Sequence, residues 1–274
     1  MISHTTQTVS KASIFLTRSE GKYHNNTLIV QKNTLIRMLS GEMRIVLPDS
    51  ILVIGAGDTI FFPRFELAKV MKLPKDGQPY SSVAIYFTPE SMQHYFAKHH
   101  LKPLDERLKP GVRLLDKHPL LESLFNSLLP YFNLKNELPE NIAEGKIDEA
   151  ISILQVIDKD LFNAMGHFEE PGKINLTEFM EQHFMFNMPL DKFGYLTGRS
   201  LTTFKRDFKK AFYTTPQKWL TQKRLELAHY QLTEKKRKPA DIYMEVGFEN
   251  LSHFSYAFKK QFGYPPSLLP ADNH

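Results

Sequence analysis

A duplication near the end of the chain limits what this sequence can fold into more than any other feature. Aligning Pro189–Pro216 with Pro239–Pro266, an offset of 50, gives nine identities in 28 ungapped positions. They are Pro189/Pro239, Asp191/Asp241, Leu201/Leu251, Phe204/Phe254, Phe208/Phe258, Lys209/Lys259, Lys210/Lys260, Phe212/Phe262 and Pro216/Pro266. Phe193/Tyr243, Leu196/Val246, Ser200/Asn250 and Thr202/Ser252 are conservative pairs. Self-similarity of this kind marks a supersecondary unit present twice.

Both copies share one local grammar. A proline stands at the start of a short helix, where its missing N–H costs nothing. A turn containing glycine follows, Thr197-Gly198-Arg199 in one copy and Gly247-Phe248-Glu249 in the other. The glycine shifts by one position, so the two turns need not be identical. Ser200 and Asn250 then stand where a side chain caps a second helix by accepting from its free N–H groups. On that helix Leu201, Phe204, Phe208 and Phe212 fall on one face, as do Leu251, Phe254, Phe258 and Phe262. A short helix, a turn and an amphipathic helix make a helix-turn-helix.

The opposite faces carry Thr202, Thr203, Arg206, Lys209 and Lys210 in the first copy. The second copy carries Ser252, His253, Tyr256, Lys259 and Lys260. Short hydrogen-bonding heads near a helix start, with cations further along, suit double-stranded DNA. Arginine reads guanine bidentately, hydroxyls and imidazole meet bases or phosphates, and lysine neutralises phosphate. The bland alternative is a solvated helix face. Between the copies, Gln217–Thr233 reads as one helix with Trp219, Leu220, Leu225, Ala228 and Leu232 available for packing. At ~1.5 Å per residue it spans roughly 25 Å, enough to set two recognition helices into successive major grooves.

Charge supports the same reading. Residues 188–270 hold 15 Lys and Arg against 7 Asp and Glu, a net of +8, while the rest of the chain carries −3. A basic end on a mildly acidic body is the footprint of a polyanion-binding module joined to something else. The chain has no cysteine, which excludes disulfides, iron–sulfur clusters, zinc ribbons and thiol nucleophiles. Met1–Glu20 lacks the apolar core of a signal peptide. The longest apolar stretches, such as Ile51–Gly57, fall far short of the ~20 residues that span a bilayer. The sequence therefore reads as a soluble cytoplasmic protein with no membrane partner.

The first third reads as strands. Leu28–Val30, Leu35–Leu39, Met43–Leu47, Ile51–Ile54, Thr59–Phe62 and Val83–Phe87 are separated by turn signals such as Pro48-Asp49-Ser50 and Lys75-Asp76-Gly77. The run from Gly41-Glu42 through Gly57-Asp58 to Pro63-Arg64 resembles the jelly-roll core of cupin-like domains. Cupin metal sites use an HxH pair with a following Glu, and this chain has no HxH. His94, His99 and His100 lie beyond the strands, and Pro89–His99 reads as a helix. No metal and no cofactor is expected.

The middle reads as helices. Pro119–Phe132 carries Leu120, Leu121, Leu124, Phe125, Leu128 and Leu129. Ile147, Ile151, Leu154, Leu161 and Met165 approach a seven-residue repeat interrupted at Asp158. Such a stripe is either a homodimer seam or a face packed on the barrel. Glu169-Glu170-Pro171-Gly172 breaks the pattern and marks a domain boundary. The expected fold class is multidomain. An α+β domain at 1–168 has a cupin-like barrel at about 14–90 and helices at about 89–168. An all-α domain at 172–274 holds two helix-turn-helix units and a linker helix.

The segment from Asp241-Ile242 through Val246-Gly247-Phe248-Glu249-Asn250-Leu251-Ser252-His253-Phe254 to Phe262-Gly263-Tyr264-Pro265-Pro266 closely resembles the signature of AraC/XylS-type transcription regulators. Leu190–Pro216 and Trp219-Leu220-x-x-Lys223-Arg224-Leu225-x-x-Ala228 resemble the part before it. The resemblance covers about the last 100 residues, from Ile174. It implies a transcription factor, usually an activator, that recruits RNA polymerase and is controlled through its other domain by a small molecule or a protein partner. The barrel followed by helices resembles the type III secretion activator branch of that family. By the same resemblance, base-contacting positions fall on Thr202, Lys205, Arg206 and Lys209, and on Ser252, His253 and Tyr256. Helical angle puts Lys205 nearer the core edge, and Ser252 and Tyr256 suit phosphate more than base readout. Two other functions compete with this one. A DNA alkyl-transfer protein built on this module needs cysteine nucleophiles. A cupin-type enzyme fused to a DNA-binding module needs the missing metal ligands.

Overall fold

The computed structural model describes residues 6–11, 13–21, 23–102, 111–133, 139–167 and 170–269. The chain divides into two compact units, Met1–Glu169 and Glu170–His274. Phe168 and Glu169, at the expected boundary, lie outside the described residues.

The first unit contains strands β1 (Thr6–Lys11), β2 (Ile14–Ser19), β3 (Tyr23–Ile29), β4 (Asn33–Ser40), β5 (Glu42–Val46), β6 (Ile51–Gly55), β7 (Thr59–Phe62), β8 (Leu67–Leu73), β9 (Tyr80–Phe87) and β10 (Arg113–Leu115). They form two antiparallel sheets, ordered β1-β2-β9-β4-β7-β10 and β3-β8-β5-β6. The expected cupin-like barrel is a two-sheet sandwich. Strand side chains alternate between faces. On β4 and β9, Leu35, Val83, Ile85 and Phe87 enter a core shared with helices. Met38 and Tyr80 point the other way, into the core between the sheets with Met43, Ile45 and Val70. The central strands are thus buried on both faces, which is why they read as near-continuous apolar runs. A cavity of about 330 Å³ is lined by Phe15, Ile36, Phe62 and Tyr86, with Lys32 and Thr34.

Four helices cover the larger sheet: α1 (Pro89–Lys98), α2 (Pro119–Leu128), α3 (Glu140–Ile157) and α4 (Lys159–Met165). Asp158 separates α3 from α4. One of its carboxylate oxygens accepts from the Leu161 N–H at 3.0 Å, capping α4, and the other pairs with Arg113 at 2.5 Å. The near-heptad stripe is not an exposed dimer seam in this unit. Ile147, Ile151, Leu154, Leu161 and Met165 are all buried in this unit's own core, beside Phe96, Leu121 and Phe125. A second copy would reach them only after that core had been opened.

The second unit is helical: α5 (Leu176–His183), α6 (Leu190–Leu196), α7 (Leu201–Phe212), α8 (Pro216–Thr233), α9 (Pro239–Ile242) and α10 (Leu251–Phe262). The copies differ in their first helices. Pro189 sits at the N-cap of α6, one position before the expected place, and α9 is a single turn. The apolar face of the second helix is shorter than its spacing implies. Phe204 and Phe208 are fully buried, as are Phe254 and Phe258. Leu201 and Leu251 are 39% and 38% exposed. At the first helical position a side chain leans back over the cap and not into the groove between helices.

The linker α8 serves both copies, so it has no single apolar stripe. Its first turns bring Trp219 onto Phe208, Phe212 and Phe184, with ring centroids 5.7, 4.7 and 6.3 Å apart. Its last turns bring Leu225, Ala228 and Leu232 into a cluster with Ile242, Val246, Phe254 and Phe258.

Candidate nucleic-acid interface

The starts of α7 and α10 are fixed by side-chain caps. The Thr203 N–H donates to Ser200 Oγ at 3.3 Å, and the His253 N–H donates to Asn250 Oδ1 at 2.7 Å. Each cap satisfies a helix-end donor that would otherwise need water, a contribution of about 1 kcal/mol. The Thr203 hydroxyl is itself 3.0 Å from Ser200 Oγ, so this half-buried side chain serves the cap.

The remaining residues singled out from the sequence lie on open faces. Thr202, Lys205, Arg206, Lys209 and Lys210 are exposed along α7. Ser252, His253, Tyr256 and Lys259 are exposed along α10, with Lys260 beside them. Lys205 is a correction: it stands in solvent, because only Phe204 and Phe208 define the buried seam and leave the flank open. The lysines in the last turns of α7 and α10 also oppose the negative end of each helix dipole, a stabilising role independent of any ligand.

Arg206 is held in place. Its Nε and Nη2 each donate to Asp207 Oδ1 at 3.2 Å, while Arg199 Nε donates to Asp207 Oδ2 at 3.2 Å. Lys173 lies 3.8 Å from the same carboxylate. Desolvation raises the Asp207 pKa, but the Arg199 and Arg206 hydrogen bonds outweigh it and hold the carboxyl below its usual range. The ion pair orients the guanidinium on the exposed side of α7.

The two copies meet at Arg224 on α8. Its guanidinium donates to the carbonyls of Phe184 at 2.8 Å and Phe186 at 2.9 Å. These belong to the segment between α5 and α6. Burial pushes the Arg224 pKa down to about 10, which leaves it charged at neutral pH. Gly247, in the turn of the second copy (φ 101°), packs against the same side chain: a Cβ there would stand 2.7 Å from Arg224 Nε. Asn187 donates to Glu249 across the same junction at 3.0 Å. One buried arginine therefore sets the first copy's entry segment against the second copy's turn.

Sequence reasoning did not single out Lys235, Lys236 and Lys238, three exposed cations at the entry to α9. The run Lys235-Lys236-Arg237-Lys238 was the available signal, submerged in the overall charge count. Its remaining member, Arg237, is bound to Glu245 at 2.5 and 2.9 Å, and that pairing raises its pKa. Tyr213, exposed at the end of α7, was also passed over. Among the described residues no group of three or more His, Asp or Glu is gathered as a metal site requires. None of the described helices is long and apolar enough to cross a membrane.

Two capped, basic-faced helices, each following a short helix and a turn and joined through one linker helix, define a double helix-turn-helix protein. The family profile described as "Helix-turn-helix domain" matches residues 196–269, and the profile described as "ExsA N-terminal regulatory domain" matches residues 33–159. Both parts of the chain are thus similar to AraC/XylS-type transcription regulators.

The virulence regulon transcriptional activator VirF of Yersinia enterocolitica is 28% identical over 151 residues, 54% of this chain and 55% of its own length. This chain thus spans about half the length of that relative. The HTH-type transcriptional regulator ExsA of Pseudomonas aeruginosa is 26% identical over 233 residues, 84% of this chain and 83% of its own. A solved structure of apo ToxT from Vibrio cholerae aligns at 12% identity and a TM-score of 0.44, over 94% of this chain and 97% of that one.

Proposed function

We propose that this protein is a sequence-specific DNA-binding regulator of transcription, an activator, with no catalytic role. Residues 172–274 bind the duplex and residues 1–168 control them. The observation that carries this reading is the duplicated exposed stripe on α7 and α10, held by one shared linker helix, within a segment (residues 188–270) whose net charge is +8. In the first copy Thr202 and Arg206 address base edges, with Lys205, Lys209 and Lys210 on the flanking backbone. In the second, Ser252, His253 and Tyr256 meet the groove and Lys259 meets phosphate. The names of VirF and ExsA, an activator and a regulator, support the activating sense. RNA polymerase is the partner that activation requires, and the cell interior is where both are found. The cavity lined by Phe15, Ile36, Phe62 and Tyr86 favours a small ligand as the effector over a protein partner.

The test is a fragment comprising Gly172–His274. It is expected to fold, by circular dichroism, and to bind duplex DNA with an affinity that falls steeply as salt rises. Polyanion binding releases counterions, so log K against log salt should slope by about −0.9 per phosphate neutralised. A folded fragment with no salt-sensitive binding would contradict the proposal.

A further inference from the structure

Tyr213 ends α7 with its N–H donating to the Lys209 carbonyl and its backbone in the left-handed region, φ 55° and ψ 19°. Glycine adopts this conformation without penalty; a residue with a Cβ does not. The equivalent position in the second copy is Gly263, at φ 86°, with open space where a Cβ would stand. The same turn in the same motif is thus built with glycine once and with tyrosine once.

Burial does not compensate for the tyrosine. Its side chain is 91% exposed, more than any other large apolar or aromatic residue among those described. Stability therefore gives no reason for this choice, and a residue that costs stability while facing solvent points to a ligand.

Its place on the helix narrows the ligand. Thr202, Arg206 and Lys209 follow one another at i, i+4 and i+7 along α7, and exposed Tyr213 stands one residue beyond its last turn. It lies roughly 10 Å along the helix axis beyond Arg206. Where the first turns of a recognition helix enter the major groove, its C-terminal end meets the sugar-phosphate backbone. Tyrosine is among the side chains that donate to phosphate there. Lys209 and Lys210 precede it, and exposed Lys218 follows on α8.

We infer that Tyr213 is a DNA-backbone contact, its phenol hydroxyl donating to a phosphate beyond the base-reading turn of α7. The contact lengthens the footprint of the first unit relative to the second, which ends in glycine. The inference rests on the proposed recognition role of α7.

The experiment uses the full chain, a duplex selected by it from a randomised pool, and a scrambled duplex of equal length. Tyr213→Phe removes the hydroxyl alone, and Tyr213→Gly removes the side chain and relaxes the backbone. Both are expected to weaken binding to both duplexes about three- to tenfold, the scale of the net contribution of one typical hydrogen bond. The salt slope should stay unchanged, because a neutral phenol displaces no counterion. Tyr213→Gly should melt no lower than the parent. Parental affinity in either variant overturns the inference, and so does a loss in Tyr213→Gly accompanied by a lower melting temperature. Arg206→Ala, run alongside, separates the two levels. If it weakens the selected duplex while the Tyr213 variants are silent, this inference alone fails. If all three are silent, the recognition role of α7 fails with it.

Discussion

Arg224→Ala is expected to destabilise the C-terminal unit by about 3 kcal/mol, because it removes the buried side chain that donates to both the Phe184 and the Phe186 carbonyls. For a unit of about 100 residues this corresponds to a melting temperature roughly 10–20 °C lower. The guanidinium serves the Phe184 and Phe186 carbonyls together, at 2.8 and 2.9 Å. Lysine places one ammonium on a flexible stem and cannot match that fork, so Arg224→Lys should fall between alanine and the parent. The loss also removes the wall against which Gly247 packs, so the two helix-turn-helix copies lose their common reference. DNA affinity should therefore fall further than the population of unfolded chain explains. Differential scanning calorimetry and a binding titration below the transition provide the check. A melting shift under about 3 °C with parental affinity would show that the junction is held by other contacts.

Gly198→Ala should be as damaging for a different reason. Gly198 turns the first copy at φ 66°, and a Cβ there would stand 2.4 Å from the Gly172 carbonyl carbon and 2.6 Å from the Lys173 nitrogen. All the nearest atoms are backbone, so nothing yields without moving the segment that leads into α5. The control is Gly263→Ala. Its φ of 86° is equally unfavourable for alanine, but nothing lies within 4 Å. Conformational cost alone predicts about 1–2 kcal/mol at Gly263. Cost plus clash predicts ~3 kcal/mol or more at Gly198. Denaturant unfolding of both variants decides the matter: equal losses would mean that the tight approach to Gly172 relaxes freely.

These two residues mark where the sequence could and could not be read. The duplication was legible because Phe204, Phe208 and their counterparts repeat at helical spacing, and burial forces that spacing on any helix with a dry face. Gly198 was legible as a turn residue. Arg224 was legible only as part of a family pattern, because its partners are backbone carbonyls some 40 positions away, and carbonyls leave no trace in side-chain chemistry.

The strands divide in the same way. Thr59–Phe62 is buried along its whole length and was read with the bounds it has. Strand β8 was missed because Lys69 and Lys72 interrupt its apolar run. Burial lowers the Lys72 pKa, and its ammonium lies 5.1 Å from the centre of the Tyr80 ring. A three-residue strand such as β10 is defined by its partner β7, not by its own composition. Periodicity shows that a face is apolar but not what covers it. The stripe from Ile147 to Met165 was legible as a stripe, and its use in the unit's own core was not.

The most direct test of a DNA-reading first unit compares Arg206→Ala with Lys210→Ala. Arg206 lies opposite the Phe204–Phe208 seam and one turn into α7; Lys210 shares that exposed side a turn further on. Loss of a guanidinium from a base edge should cost about 1–3 kcal/mol on the preferred sequence and relax the preference at one base pair. Loss of an ammonium from a phosphate should weaken all sequences alike and reduce the salt slope by about one. The measurement is binding of the parent and both variants to a selected and a scrambled duplex across a salt series. The account predicts that Arg206→Ala narrows the gap between the duplexes and that Lys210→Ala flattens the salt dependence. Equal weakening of both duplexes by Arg206→Ala would contradict it.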